Sequence, residues 1–204
     1  MKNNMHHENV SIGSQSADYR IILLHGWGAD YYDLLPLGEL IVKDLHCEFQ
    51  IVCLRAPIVR PDNSGREWYG LFPSNWEQAK KEVDKLVITL KEFGKTGIDL
   101  KKTVLLGFSQ GAAMSIAVSS KLDLGLIVSC SGYPHPDWDP KVKTPVLLSH
   151  GLKDDIVPIE ASREILKRIS LNANYKCQLH EFNGSHEIDS EFINLIRQNI
   201  KELF

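Results

Sequence analysis

Residues 104–118 read Val104-Leu105-Leu106-Gly107-Phe108-Ser109-Gln110-Gly111-Ala112-Ala113-Met114-Ser115-Ile116-Ala117-Val118. The first five are apolar or small with no alternation, which is how a strand covered on both faces reads. The run after Gly111 is made of small residues and predicts a helix over 111–120 that can pack closely on a sheet. Between them stands a serine in the pattern G-x-S-x-G. A serine there sits on a sharp, strained turn that lifts its hydroxyl above the sheet edge. Side chains at Gly107 and Gly111 would collide with the neighbouring strand and helix. Ser109 is therefore the first candidate for a reacting group.

Working outward, the runs 21–24, 51–54, 124–130 and 146–148 are likewise continuously apolar, while 175–182 alternates as an edge strand would. Helical patterns lie between them. The clearest is 75–93, with Ala79, Val83, Leu86, Val87, Leu90 and Phe93 on one stripe and Ser74 and Glu77 spaced as a capping box. Residues 160–169 and 190–204 follow the same period. Strands alternating with helices predict an α/β fold, a mostly parallel sheet with helices on both faces. In such sheets the chemistry sits beyond the carboxyl ends of the strands.

A length of 204 residues fits one domain, expected over 19–204, with 1–18 as a flexible tail too polar to bury much surface. Lys plus Arg number 23 and Asp plus Glu 26, a net charge of −3, which argues against a nucleic-acid partner. No apolar run approaches the ~20 residues of a bilayer span, and the polar start has neither the apolar stretch of a secretory signal nor a lipid-anchor pattern. The four cysteines, Cys47, Cys53, Cys130 and Cys177, lack the paired spacing of a zinc or redox site, and no ligand cluster is readable. A cytoplasmic protein with reduced thiols and no metal or other cofactor is expected.

A serine hydroxyl is a weak nucleophile until a neighbouring base takes its proton, and that base must itself be held by a third group. In this chain order the acid precedes the histidine. After 146–148 comes His150-Gly151-Leu152-Lys153-Asp154-Asp155-Ile156-Val157-Pro158, in which Asp154 and Asp155 compete for the orienting role. Farther on, Asn183-Gly184-Ser185-His186-Glu187 places His186 in a turn between a strand and a helix. Of the eight histidines, His6 and His7 fall in the expected tail, His46 and His180 read as surface or strand residues, and His135 is a minor rival as base. Attack on a carbonyl also calls for donors toward the developing oxyanion. The backbone N–H of Gln110 is one candidate, and that of Trp27 in His25-Gly26-Trp27-Gly28 is the other. Segment 56–73 is too long for a plain connection and carries Trp68 and Leu71, candidates to wall a substrate pocket unless they simply pack over the sheet edge.

Taken together, LLHGWGAD, REWYG, GFSQGAAM, SCSG, SHGLKDDIVP and GSHEI resemble the carboxylesterase, lysophospholipase and acyl-protein-thioesterase-like members of the α/β-hydrolase fold. The resemblance covers nearly all of 19–204. Its H-G-x-x-D-x-x-V-P pattern implies Asp154, not Asp155, as the acid, and it implies no large lid domain. It also implies hydrolysis of small-molecule carboxylic esters or thioesters with short to medium acyl chains, through an acyl-enzyme on Ser109. The other readings are a dienelactone-hydrolase-like relative, whose members carry Cys where Ser109 stands, and a non-catalytic binding protein on the same fold.

Overall fold

The computed structural model describes residues 7–172 and 175–203. Its centre is a seven-stranded sheet of β1 (Asn9–Ile12), β2 (Tyr19–Leu24), β3 (Phe49–Leu54), β6 (Thr103–Phe108), β7 (Leu126–Cys130), β8 (Val146–Gly151) and β9 (Cys177–Phe182), in the order β1-β3-β2-β6-β7-β8-β9. All pairings are parallel except β1 with β3. A two-stranded ribbon, β4 (Ile58–Val59) with β5 (Arg66–Glu67), stands apart. The helices are α1 (Leu35–Val42), α2 (Trp76–Phe93), α3 (Gln110–Ala117), α4 (Glu160–Asn172) and α5 (Ser190–Leu203).

Alternation along each strand divides the core. Ile22, Leu24, Val52, Leu54, Leu105, Ile127 and Leu148 pack with α2, α3 and α4, whereas Ile21, Leu23, Ile51, Val104, Leu106, Val128 and Leu147 pack with α1 and α5. Both faces of the sheet are thus covered, which is why its strands lack the polar half of a period-two pattern. This is the α/β-hydrolase arrangement the motifs imply, with no large lid among the described residues. None of the described helices is long and apolar enough to cross a membrane.

Three expectations are corrected. The tail over 1–18 is not wholly flexible: residues 1–6 lie outside the described residues, but Asn9–Ile12 forms β1 on the edge of β3. Its side chains stay largely exposed, so pairing with the free backbone of β3, not apolar burial, holds it there. The neighbouring His7 is buried, with Nδ1 3.0 Å from Thr89 Oγ1. Finally, α2 is capped by Asn75, whose side chain accepts from Gln78 N–H at 3.0 Å, whereas the Ser74 hydroxyl donates to Leu71 O. The one-turn Tyr31–Leu34 helix and α1 give no strong periodic signal in the sequence, since α1 is short and carries Pro36 and Gly38.

The sheet reverses its winding at β2: the chain leaves β2 for β3 on one side and later returns to β6 on the other. The loops after β2 and β6 therefore open a crevice at the carboxyl edge. Close contact there depends on glycine, for a Cβ on Gly111 would lie 2.1 Å from Leu24 O and 2.6 Å from His25 O. Gly111→Ala is expected to lower unfolding free energy by about 3 kcal/mol, since backbone must shift to admit the methyl group. A urea midpoint unchanged from wild type would refute this packing account.

Candidate active site

Ser109 follows β6 and precedes α3, with φ 54° and ψ −116°. A non-glycine residue at positive φ is strained and persists only where its surroundings hold it. Here its N–H donates to Cys130 O at 2.9 Å, Ala113 N–H donates to its carbonyl at 3.0 Å, and a Cβ on Gly107 would meet Gly111 O at 2.2 Å. The strand and helix on either side of the serine nearly touch, so the turn between them has little alternative.

Asp154 stands in the turn after β8 with a fully buried side chain. Its Oδ1 accepts the N–H groups of Ile156 at 3.0 Å and Val157 at 2.8 Å, and its Oδ2 accepts His186 Nδ1–H at 2.7 Å. Burial works to raise its pKa, but the Val157, His186 and Ile156 hydrogen bonds outweigh that and hold it below the usual carboxylate range. Asp155, the rival candidate, is exposed. Buried His150 braces the same turn, with Nε2 2.7 Å from Val157 O and Nδ1 2.7 Å from Ser162 Oγ.

The turn bearing His186 is drawn to the acid by backbone bonds, Leu152 N–H to Phe182 O at 2.8 Å and Lys153 N–H to Gly184 O at 2.9 Å. Gly151 allows this approach, because a Cβ on it would lie 2.2 Å from Ser185 O. The His186 ring packs on Phe108, next to Ser109, with centroids 4.9 Å apart. With Nδ1 donating to Asp154, Nε2 is the ring nitrogen left to accept a proton. His186 and Ser109 both line a cavity of about 830 Å³, walled by Trp27, Leu34, Leu71, Phe72, Phe108, Tyr133 and Val157 among others.

The Trp27 turn is clamped from several sides. Gly28 N–H donates to Arg66 O at 2.8 Å, and Arg66 N–H donates to Ala29 O at 3.0 Å. The indole N–H of Trp27 donates to Glu67 Oε2 at 2.8 Å, and the Arg60 guanidinium lies 3.6 Å over its ring. Beneath it, buried His25 accepts Ala56 N–H on Nε2 at 3.1 Å, so its Nδ1–H donates to Gly26 O at 2.8 Å; burial depresses its pKa and keeps it neutral. Among the described residues the N–H groups of Trp27 and Gln110 take no backbone partner. Gln110 directly follows Ser109 in the chain, and Trp27 lines the same cavity as Ser109.

Leu71 lines the cavity, as expected, but Trp68 does not. Its side chain is 0% exposed in the core, its indole N–H donates to His25 O at 2.9 Å, and its backbone N–H donates to Gln110 Oε1 at 2.9 Å. The Gln110 amide also donates to Tyr69 O at 2.7 Å. Trp68 and Gln110 thus tie the segment behind the pocket to the two loops flanking the crevice. The polar ends of a tryptophan and a glutamine gave no cue of this in the sequence. Phe72, by contrast, projects at the cavity mouth, 79% exposed. His135, the rival base, lies apart from Asp154 and bonds Tyr69 Oη through Nε2 at 3.0 Å.

Away from the cavity, His180, Asp189 and Glu191 bring possible ligand atoms within 4.8 Å of one another, a grouping their spacing did not reveal. Asp189 is already used: its Oδ2 lies 3.0 Å from His180 Nε2 and accepts Glu191 and Phe192 N–H at the start of α5.

Comparison with known proteins places this geometry in context. The profile of a family described as phospholipase/carboxylesterase matches residues 5–204. Acyl-protein thioesterase 1 of Candida albicans is 27% identical over 95% of this chain and 96% of its own length. The corresponding Debaryomyces hansenii protein is 28% identical over 76% of this chain and 78% of its own. Among solved structures, esterase PE8 superposes with TM-score 0.85 at 27% identity, covering 97% of this chain and 99% of that one. The Bacillus cereus carboxylesterase gives TM-score 0.84 at 20% identity over the full length of both chains, a likeness of fold.

Burial pushes the His135 pKa down to about 4. The unfolded chain, with an ordinary value near 6.5, binds a proton between those two pH values while the folded chain does not. The stability His135 contributes is therefore complete above about pH 6.5 and is lost as pH falls toward 4, on the order of 3 kcal/mol in all. Urea midpoints of wild type and His135→Asn should converge as pH is lowered from 7 to 4.5. A gap independent of pH would contradict the assignment.

Proposed function

The chain belongs to the phospholipase/carboxylesterase family, and from that premise we propose that Ser109, His186 and Asp154 carry out a two-step hydrolysis of carboxylic esters or thioesters. The observation that carries this reading is the 2.7 Å bond from His186 to buried Asp154, on the cavity that also contains Ser109. His186 Nε2 takes the Ser109 proton as Oγ attacks the substrate carbonyl. Asp154 holds the tautomer and stabilises the imidazolium that forms. The Trp27 and Gln110 N–H groups, with the amino end of α3, face the negative oxygen of the tetrahedral adduct. His186 then gives its proton to the departing alcohol or thiol. Water, deprotonated by the same ring, releases the acid and restores Ser109.

Relatives described as thioesterases and esterases support this reaction class over a receptor without chemistry. An apolar cavity of about 830 Å³ suits short to medium acyl chains of small-molecule substrates. The residues used are protein side chains and backbone, and the step sequence needs no cofactor. A cytoplasmic location is consistent with the four free thiols, of which Cys53 and Cys130 are buried; burial pushes the Cys53 pKa up to about 12.

Ser109→Ala should lose fluorophosphonate labelling and turn over 4-nitrophenyl butanoate on the order of 10⁶-fold more slowly. Retention of more than about one per cent of wild-type rate would remove Ser109 from the mechanism. Asp154→Asn should keep the fold and lose on the order of 10⁴ in kcat, because the tautomer of His186 is no longer held; a loss under tenfold in kcat would show that Asp154 is not the orienting acid.

A further inference from the structure

Behind one wall of the cavity runs a chain of three polar side chains. Tyr133 Oη lies 2.7 Å from Tyr69 Oη, which in turn lies 3.0 Å from His135 Nε2. Tyr69 and His135 are buried, and Tyr133 is the half-buried member that lines the cavity with Ser109 and His186. Among the described residues, neither the Tyr133 nor the His135 side chain has another hydrogen-bond partner. Burial keeps His135 neutral, so its ring carries one N–H.

Counting protons along the chain leaves Tyr133 with spare capacity in either tautomer. If His135 Nε2 is bare, Tyr69 donates to it, Tyr133 donates to Tyr69, and the Tyr133 oxygen can still accept. If Nε2 carries the proton, the direction reverses, Tyr69 donates to Tyr133, and the Tyr133 proton is free to donate. Water can satisfy that valence while the cavity is empty. A substrate that displaces the water with hydrocarbon leaves it unpaired among Leu34, Leu71, Phe108 and Val157, at a cost. A substrate bringing an oxygen does not.

We infer that the Tyr133 hydroxyl is a specificity-determining group of this hydrolase site: it receives an oxygen carried by the substrate, with Tyr69 and His135 as positioning residues. The preferred substrates are esters or thioesters bearing a hydroxyl near the reacting carbonyl, on the acyl chain or on the leaving alcohol. This inference rests on the serine-hydrolase reading above.

The test compares isosteric pairs in which hydroxyl replaces methyl. One arm uses 4-nitrophenyl 3-hydroxybutanoate against 4-nitrophenyl 3-methylbutanoate, and the other 2-hydroxypropyl butanoate against 2-methylpropyl butanoate. For each pair the kcat/KM ratio in wild type is divided by that in Tyr133→Phe, so intrinsic reactivity cancels. A quotient of about three- to tenfold in one arm is expected and identifies which side of the substrate Tyr133 reads. Tyr69→Phe keeps the ring and breaks the chain, and should move the same quotient toward that of Tyr133→Phe; an unmoved quotient overturns the positioning role. Quotients near one in both arms, in protein whose Ser109 is labelled by fluorophosphonate, overturn the inference and leave the hydrolase reading intact. Failure of wild-type Ser109 to label overturns both.

Discussion

Ser109 can hold a left-handed backbone only because β6 and α3 are pressed together without side chains between them. Gly107 and Gly111 provide that contact, and Gly111 also lets α3 lie against the end of β2. One consequence is that the serine, the N–H of Gln110 and the loop after β2 are fixed in a single rigid unit. The crevice created where the sheet reverses its winding thereby carries Ser109 on its rim, at the carboxyl end of β6. Asp154 and His186 arrive from the far side, on turns after β8 and β9 that are bonded to one another, and His186 lines the same cavity as the serine.

Much of this is legible in the sequence. Strands buried on both faces write themselves as unbroken apolar runs, and β2, β3, β6, β7 and β8 all fell on such runs. Ser109, Asp154 and His186 stood out as candidates because each lies in the turn that follows a strand, with glycine close by. Chain order then separated His186 from His135.

What stayed hidden depends on long-range pairing of backbone and polar atoms. The strand Asn9–Ile12 buries little, so composition could not distinguish it from a loose tail; the open edge of β3 decides its conformation. Trp68 reads as an aromatic in a loop, equally suited to a pocket or to the core. Its place is settled by an indole N–H finding the carbonyl of His25, 43 positions away in the chain. Likewise, Asn75 and Ser74 are both good helix caps, and only the actual backbone path chose between them.

The edge strand β1 has a bearing on how the protein must be handled. Beneath it, every residue of β3 from Phe49 to Leu54 is buried, so lifting β1 away would bare a row of unpaired amides beside some of the most apolar sequence in the molecule. Such an edge is a ready template for a foreign strand. The strand Asn9–Ile12, largely exposed and easily mistaken for dispensable, is in this sense a guard over that edge, and removing it would leave β3 open to such pairing.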